Sequence, residues 1–314
     1  MENLIFSLNA AMPVFLLMLL GMVFKKAGWI DGHFAAEMNR LVFLVPLPVL
    51  VFRDLATVDF SEVWDGRFVI FCFTATILSI LISAFISRFL GDRSLRGEFI
   101  QASYRSSAAL LGIAFIQNIY GSSGLAPLMI IGSVPLYNIM AVIILSLSGP
   151  EEGGIDRKIL KQTVKGILRN PIILGIIAGI VWSVFQIPMP QILGKTLENV
   201  AAMATPMGLI AMGAAFDIRA ASEKVGPAAL AGIIKLIGFC ALFLPAAIYL
   251  GFRREELVAI LVMLGSATTV SCYVMAKNMG HEGVLTSSIV MLTTLCSSFT
   301  LTFWLFILKS LGML

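Results

Sequence analysis

Residues 105–109 read Arg-Ser-Ser-Ala-Ala inside a stretch otherwise apolar enough to enter lipid, and residues 265–271 read Gly-Ser-Ala-Thr-Thr-Val-Ser inside another. An arginine near the middle of a membrane helix costs at least ~2.5 kcal/mol on insertion scales, so Arg105 implies a wet cavity or an anionic partner. A guanidinium holds a carboxylate through two parallel hydrogen bonds, which suits a small organic acid. The competing account is an Arg105 nearer the interface than the hydropathy suggests, with its head group snorkelling out. Around it, Ser106, Ser107 and Gly112 in the first stretch and Thr268, Thr269, Ser271 and Tyr273 in the second supply hydrogen-bonding groups and lower helix propensity. Non-helical backbone at membrane depth is tolerated only where protein buries it or a cavity wets it. Close helix packing is the structural alternative for such small residues. Asn138 lies in a third apolar stretch, "GSVPLYNIM", where an unsatisfied amide is costly. It is expected to face the same region, and Pro135 beside it is expected to kink the helix.

The elements that must carry these residues are membrane helices. The chain has 314 residues, 59% hydrophobic and only 13% charged, with a mean hydropathy of +0.96, whereas soluble domains are about one quarter charged. Ten apolar spans are predicted at 5–26, 34–55, 67–90, 98–120, 124–147, 169–187, 194–216, 226–250, 255–279 and 283–309. Pro46, Pro48 and Pro206 are expected to bend the second and seventh spans.

With ten spans the termini share a side. One set of loops carries Lys25, Lys26, Arg40, Arg88, Arg93, Arg96, Arg157, Lys158, Lys161, Lys165, Arg169, Arg219, Lys224 and Lys277, and the other only Arg53, Arg67, Lys195, Arg253, Arg254 and Lys309. The richer set is expected on the cytoplasmic side, with both termini outside. The net charge of +4 is then a topology signal and points to no nucleic acid. Residues 1–148 form a first five-span half, 149–168 a cytoplasmic linker and 169–314 a second half. An odd span count per half inverts the second relative to the first, the plan of many transporters. A shift of 159 residues sets Ser107 on Ser266, Ala108 on Ala267, Gly121 on Gly280 and Gly124 on Gly283, in the fourth span of each half.

Other chemistries find little support. Cys72, Cys240, Cys272 and Cys296 lie in apolar segments without metal-ligand spacing and read as free thiols. Glu37, Asp54, Glu98, Asp217 and Glu255 fall near span ends, so no relay of buried carboxylates is evident. His33 and His281 fall in loops, where solvation is expected. Lys235, within the eighth span, is expected to face protein or to snorkel. With no phosphate loop, nucleotide motif or nucleophile and base pair, an enzyme is not expected, and neither is a cofactor or a metal. Coupling to Na+ or H+ stays open, with sodium relying on the hydroxyls of Thr268, Thr269 and Ser271.

The segments "RNPIILGIIAGIVWSVFQIPMPQIL", "LVFLVPLPVLVFRDLA", "ATPMGLIAMGAAFDI" and "YVMAKNMGHEGVLTSSIVMLTTLCSSFTLTFWLFIL" resemble the auxin efflux carrier family, whose bacterial members include malate and malonate permease-like proteins. The resemblance spans the chain, and Asn170-Pro171 at the start of the sixth span is its most specific element. It implies an all-α polytopic membrane protein of two inverted five-helix repeats, with a scaffold and a transport domain, broken crossing helices four and nine, and elevator-like transport across the inner membrane. It also implies that Asn138 contacts substrate. Many relatives carry proline at the two breaks, whereas "LLGIAF" and "TVSCYV" here do not. The expected function is secondary transport of a small organic anion in the lipid bilayer, mono- or dicarboxylate. The rivals are a sodium-coupled carrier of amphipathic, steroid-like anions and a membrane sensor without translocation. Homodimers occur among crossed-helix carriers, so a homodimer stays open.

Overall fold

The computed structural model describes residues 2–56, 65–108, 116, 119–120, 125–148 and 169–314, with side chains from Met12 onward. The linker 149–168 and Gly112 lie outside the described residues. The described chain is helical, with no strand beyond one isolated bridge. Its helices are α1 Glu2–Lys26, α2 Gly32–Leu44, α3 Pro46–Ala56, α4 Gly66–Ser87, α5 Arg96–Tyr104, α6 Ala126–Leu147, α7 Pro171–Val184, α8 Gln191–Ala202, α9 Ala204–Ala215, α10 Ile218–Glu223, α11 Val225–Ile233, α12 Phe239–Tyr249, α13 Glu255–Gly265, α14 Ser271–Asn278 and α15 Val284–Ser310. A π-helical turn, Ile234–Gly238, joins α11 to α12. Five stretches among the described residues are long and apolar enough to cross a bilayer: 32–56, 66–87, 126–147, 225–249 and 284–310. Large apolar side chains stand outward on them, such as Ile70, Leu81 and Phe85 on α4 and Phe299, Phe303 and Phe306 on α15.

The acids near the span ends cap helices. Asp31, Asp65 and Asp217 each accept from backbone N–H groups of the first turn that follows them, satisfying donors that a helix start leaves orphaned. Asn170 does the same for Ile172 at 2.9 Å, with Pro171 at the first helical position. Asp92 accepts from the hydroxyl and the N–H of Ser94, and the first of these does most to hold its carboxyl below the usual range.

The prolines act unequally. Pro46 opens α3 after Val45, whose φ of −127° and ψ of −70° end α2. Pro206 sits in the first turn of α9, where its missing N–H coincides with the lapse at Met203. Pro135 does not divide its helix, because α6 continues through it.

Two apolar cores organise the bundle. Among the described residues, the buried members of the larger one come from Phe68 to Tyr137 and from Ala228 to Leu308. The smaller joins Met18, α2, α3, α7 and α9 to one face of α6 and to α14. Within that second set, α1 packs along α9 and α3 along α7. The α1 and α9 backbones touch: a Cβ on Gly213 would overlap the Met18 carbonyl, with Met18 Cα at 3.0 Å, and one on Gly21 would stand 3.0 Å from Ala214 N.

Glu98 and His281 depart from expectation. Glu98 is buried, and its carboxylate accepts from Gly283 N at 2.8 Å, Thr286 N at 2.8 Å and Thr286 Oγ1 at 2.9 Å, capping α15 from a distant helix. His281 is buried rather than solvated, with Nε2 2.9 Å from Leu145 O. The turn that holds it folds back onto the C-terminal carbonyls of α6, a long-range contact that loop position cannot forecast. Glu98→Ala strands three donors, each worth about 1–3 kcal/mol when buried and unpaired. Its thermal unfolding midpoint is expected well below that of Glu98→Gln. Equal midpoints for the two variants and the wild type would remove the capping role.

Candidate functional site

The first polar stretch breaks its helix at once. Tyr104 ends α5, and Arg105 is extended at φ −77° and ψ 127°. The second breaks after Gly265, where Ser266 is extended at φ −74° and ψ 162°. The two breaks meet: Ser106 and Thr268 form an antiparallel bridge, and Ser107 N donates to Ala267 O at 3.0 Å. Side chains close the remaining gaps. Thr268 Oγ1 donates to Ala102 O at 2.8 Å, a carbonyl in the last turn of α5, while Thr268 N donates to Thr293 Oγ1 at 3.0 Å. Gln101 Nε2 donates to Cys272 O at 3.0 Å. Backbone groups that lipid could not satisfy are thus paired within the protein, and no proline is needed to free them. The first break therefore lies at Arg105 to Ser107, well before Gly112.

Arg105 is 2% exposed. Its guanidinium turns inward: Nη2 donates to Asn138 Oδ1 at 2.8 Å and to Ser271 Oγ at 2.9 Å, and Nη1 meets Met275 Sδ at 2.9 Å. Snorkelling is excluded by those contacts. Nε has no partner among the described residues. Lys235 is also fully buried, in the π-helical turn, where Nζ donates to Ser106 Oγ at 2.7 Å. It neither snorkels nor faces lipid. The turn carries an extra residue per helical turn, and such insertions recur at functional sites; Trp304 Nε1 satisfies its Leu236 carbonyl at 3.0 Å. Among the described residues no carboxylate pairs with either cation.

Beside the breaks lies a cavity of about 60 Å³. Arg105, Ser106, Ser107, Asn138, Thr269 and Ser271 line it, with Val134, Tyr137 and Val274 beside them. Val42, Leu47, Val51, Ala204 and Thr205 line it from α2, α3 and α9, so both helical sets contribute. Thr268 is spent on the bridge and does not reach the cavity. Tyr273 packs instead against Gly283, where a Cβ would meet Cε2 at 3.0 Å. Asp54, which sequence position placed at a span end, lines the cavity as well, with Oδ1 accepting from Arg53 Nη2 at 2.6 Å. Among the described residues no three His, Cys, Asp or Glu side chains gather as a metal site. The four cysteines are free thiols.

The fold and the sequence are both similar to those of membrane carriers. The structure resembles that of the sodium proton antiporter MjNhaP1 from Methanocaldococcus jannaschii at pH 8, with a TM-score of 0.66 over 95% of this chain and 97% of the other. At 15% identity that likeness concerns the fold alone. An uncharacterized transporter of Methanothermobacter thermautotrophicus is 23% identical over 302 residues, 95% of this chain and 97% of the relative. Residues 6–305 match the family described as membrane transport protein. With a match over nearly its whole length, this multi-pass membrane protein belongs to the membrane transport protein family, that of the auxin efflux carriers.

Proposed function

We propose that this protein is a secondary active transporter of a small organic anion, a mono- or dicarboxylate, moved by alternating access across the inner membrane. The carrying observation is the cavity at the two breaks, lined by the buried Arg105 guanidinium that no described carboxylate neutralises, with the buried Lys235 amine bonded to Ser106 behind it. Leaving such charges unpaired costs several kcal/mol per ion, and an anionic ligand offsets that cost. Arg105, Ser106, Ser107, Asn138, Thr269 and Ser271 are the proposed binding residues, with Thr268 holding the break.

The proposed architecture is ten spans in two inverted repeats with crossed, broken fourth and ninth helices and both termini outside. Its support is helical register: Gly32, Gly66 and Arg96 open α2, α4 and α5, and Gln191, Val225 and Glu255, each 159 residues later, open α8, α11 and α13. The pairing of α1 with α9 mirrors that of α7 with α3. In the elevator reading, the helices sharing the larger core move and those of the α1, α3, α7 and α9 set stay as scaffold. Coupling to Na+ or H+ belongs to the same proposal.

The cavity supports the small-anion reading over a steroid-like one, since about 60 Å³ admits only about four to six water-sized positions. Counterflow of labelled short-chain carboxylates in proteoliposomes, with and without sodium, is the test. Accelerated uptake against a trans gradient of the same acid is expected. Binding without counterflow would leave the sensor reading standing, and neither binding nor counterflow of any acid would sink the anion reading.

A further inference from the structure

We propose, resting on the organic-anion reading above, that the ligand is a small monocarboxylate whose far end carries a hydrogen-bond donor, a hydroxyl or ammonium, received by Asp54. The polarity of the cavity follows from which atoms can only give hydrogens. A guanidinium has no acceptor. Asn138 Oδ1 and Ser271 Oγ must therefore accept from Arg105 Nη2, at 2.8 and 2.9 Å. Ser271, having accepted, directs its own hydrogen to Thr269 Oγ1 at 3.2 Å. That leaves the Thr269 hydroxyl hydrogen for the cavity. Asn138 Nδ2 gives one hydrogen to Val134 O at 3.0 Å and retains a second. With its Nη atoms engaged, Arg105 does not present a free fork. It orients Asn138 and Thr269 as donors and sets its charge behind them, while Nε is buried without a partner among the described residues. This side of the cavity suits the oxygens of one ionised carboxylate.

The α3 side has the opposite character. Asp54 lines the same cavity, and Arg53 takes its Oδ1 through Nε at 3.2 Å and Nη2 at 2.6 Å. Oδ2 has no hydrogen-bond partner among the described residues, and it can only accept. A second carboxylate on the ligand would stand against it, while a hydroxyl or ammonium would bond to it. Between the two ends Val51, Val134 and Val274 flank the space, a setting for a short aliphatic link. At about 60 Å³, the room fits a ligand of about six non-hydrogen atoms, the size of a three-carbon acid.

Matched three-carbon acids test this on the full chain in lipid nanodiscs: propionate, 3-hydroxypropionate, β-alanine and malonate, each titrated against the thermal unfolding midpoint. 3-Hydroxypropionate and β-alanine are expected to bind about tenfold more tightly than propionate, and malonate most weakly. Asp54→Asn is expected to narrow the ratio of β-alanine to malonate affinity at least tenfold. Thr269→Val is expected to weaken every acid about tenfold, with Thr269→Ser restoring binding. Malonate binding the wild type as tightly as β-alanine, or an unchanged ratio in Asp54→Asn, overturns the assignment. If Asp54→Asn does not fold, the wild-type ranking alone decides. Absence of binding by all four acids is a different failure, that of the organic-anion reading itself.

Discussion

Replacing Arg105 by methionine is expected to weaken carboxylate binding at least about tenfold and, in the same protein, to raise the thermal stability of the ligand-free state. Both effects come from one buried charge. Arg105 is 2% exposed and donates to Asn138, Ser271 and the Met275 sulfur, none of which is anionic. An unpaired buried ion costs several kcal/mol, which is set against the acceptors on Asn138 and Ser271 that lose their donor, and the balance is expected to favour the apolar side chain. A charged hydrogen bond to a ligand is worth about 1.5–3 kcal/mol, so losing it weakens binding about 10- to 150-fold. Losing the orientation of Asn138 and Thr269 adds to that. Differential scanning fluorimetry, with and without a carboxylate, reads both. A variant that is less stable yet still stabilised by the acid would show Arg105 to be structural. Arg105→Lys, which keeps the charge but not the fork, is expected to recover only part of the affinity.

The second large effect concerns folding. Gly213→Val is expected to prevent accumulation of the folded protein, because its Cβ would occupy the space of the Met18 carbonyl and no side chain can yield there. Overpacking a core usually costs about 1–3 kcal/mol when side chains can adjust. Here the neighbour is backbone, on a helix that itself approaches through Gly21 against Ile210 and Ala214, so the whole α1 to α9 contact must open. Gly226→Val, at a glycine with nothing near its Cβ position, is the matched control and is expected to express normally. Fluorescence-detected size exclusion of the two variants decides the matter. A monodisperse Gly213→Val would mean that the close approach is dispensable.

The sequence carried much of this arrangement and missed the rest for identifiable reasons. Apolar runs located the helices because lipid leaves a backbone few alternatives, and the Ser-Thr runs marked both interruptions. The site of the first interruption was not legible, because what ends α5 is not local: Thr268, over 160 residues away, takes the Ala102 carbonyl. Asp54 was read as a span-end residue because hydropathy marks where a span ends and not which elements its last turn meets, and here that turn lines the cavity. Tyr273 was expected at the site on adjacency to Ser271. On a helix, however, residues two apart face different directions, and it turns to Gly283. Glu98 and His281 looked like loop-end residues, and their burial depends on α15 and α6 arriving beside them.

The seam between the two breaks also decides what can travel as cargo. Ser106 to Thr268, Ser107 to Ala267, Thr268 to Ala102 and Gln101 to Cys272 stitch α5, α13 and α14 into one piece. Neither half-helix can swing without tearing hydrogen bonds that lipid would not replace. Any movement that turns the cavity toward the other side of the bilayer must therefore shift all three together, sliding over the greasy contact between the smaller core's two faces. Across that contact the structure records Asn278 reaching the Asn39 carbonyl at 3.3 Å. On the proposed elevator motion the stitched helices would be the stiff carriage and the apolar contact its bearing, and a single cross-link placed over that contact is expected to stall transport while leaving ligand binding intact.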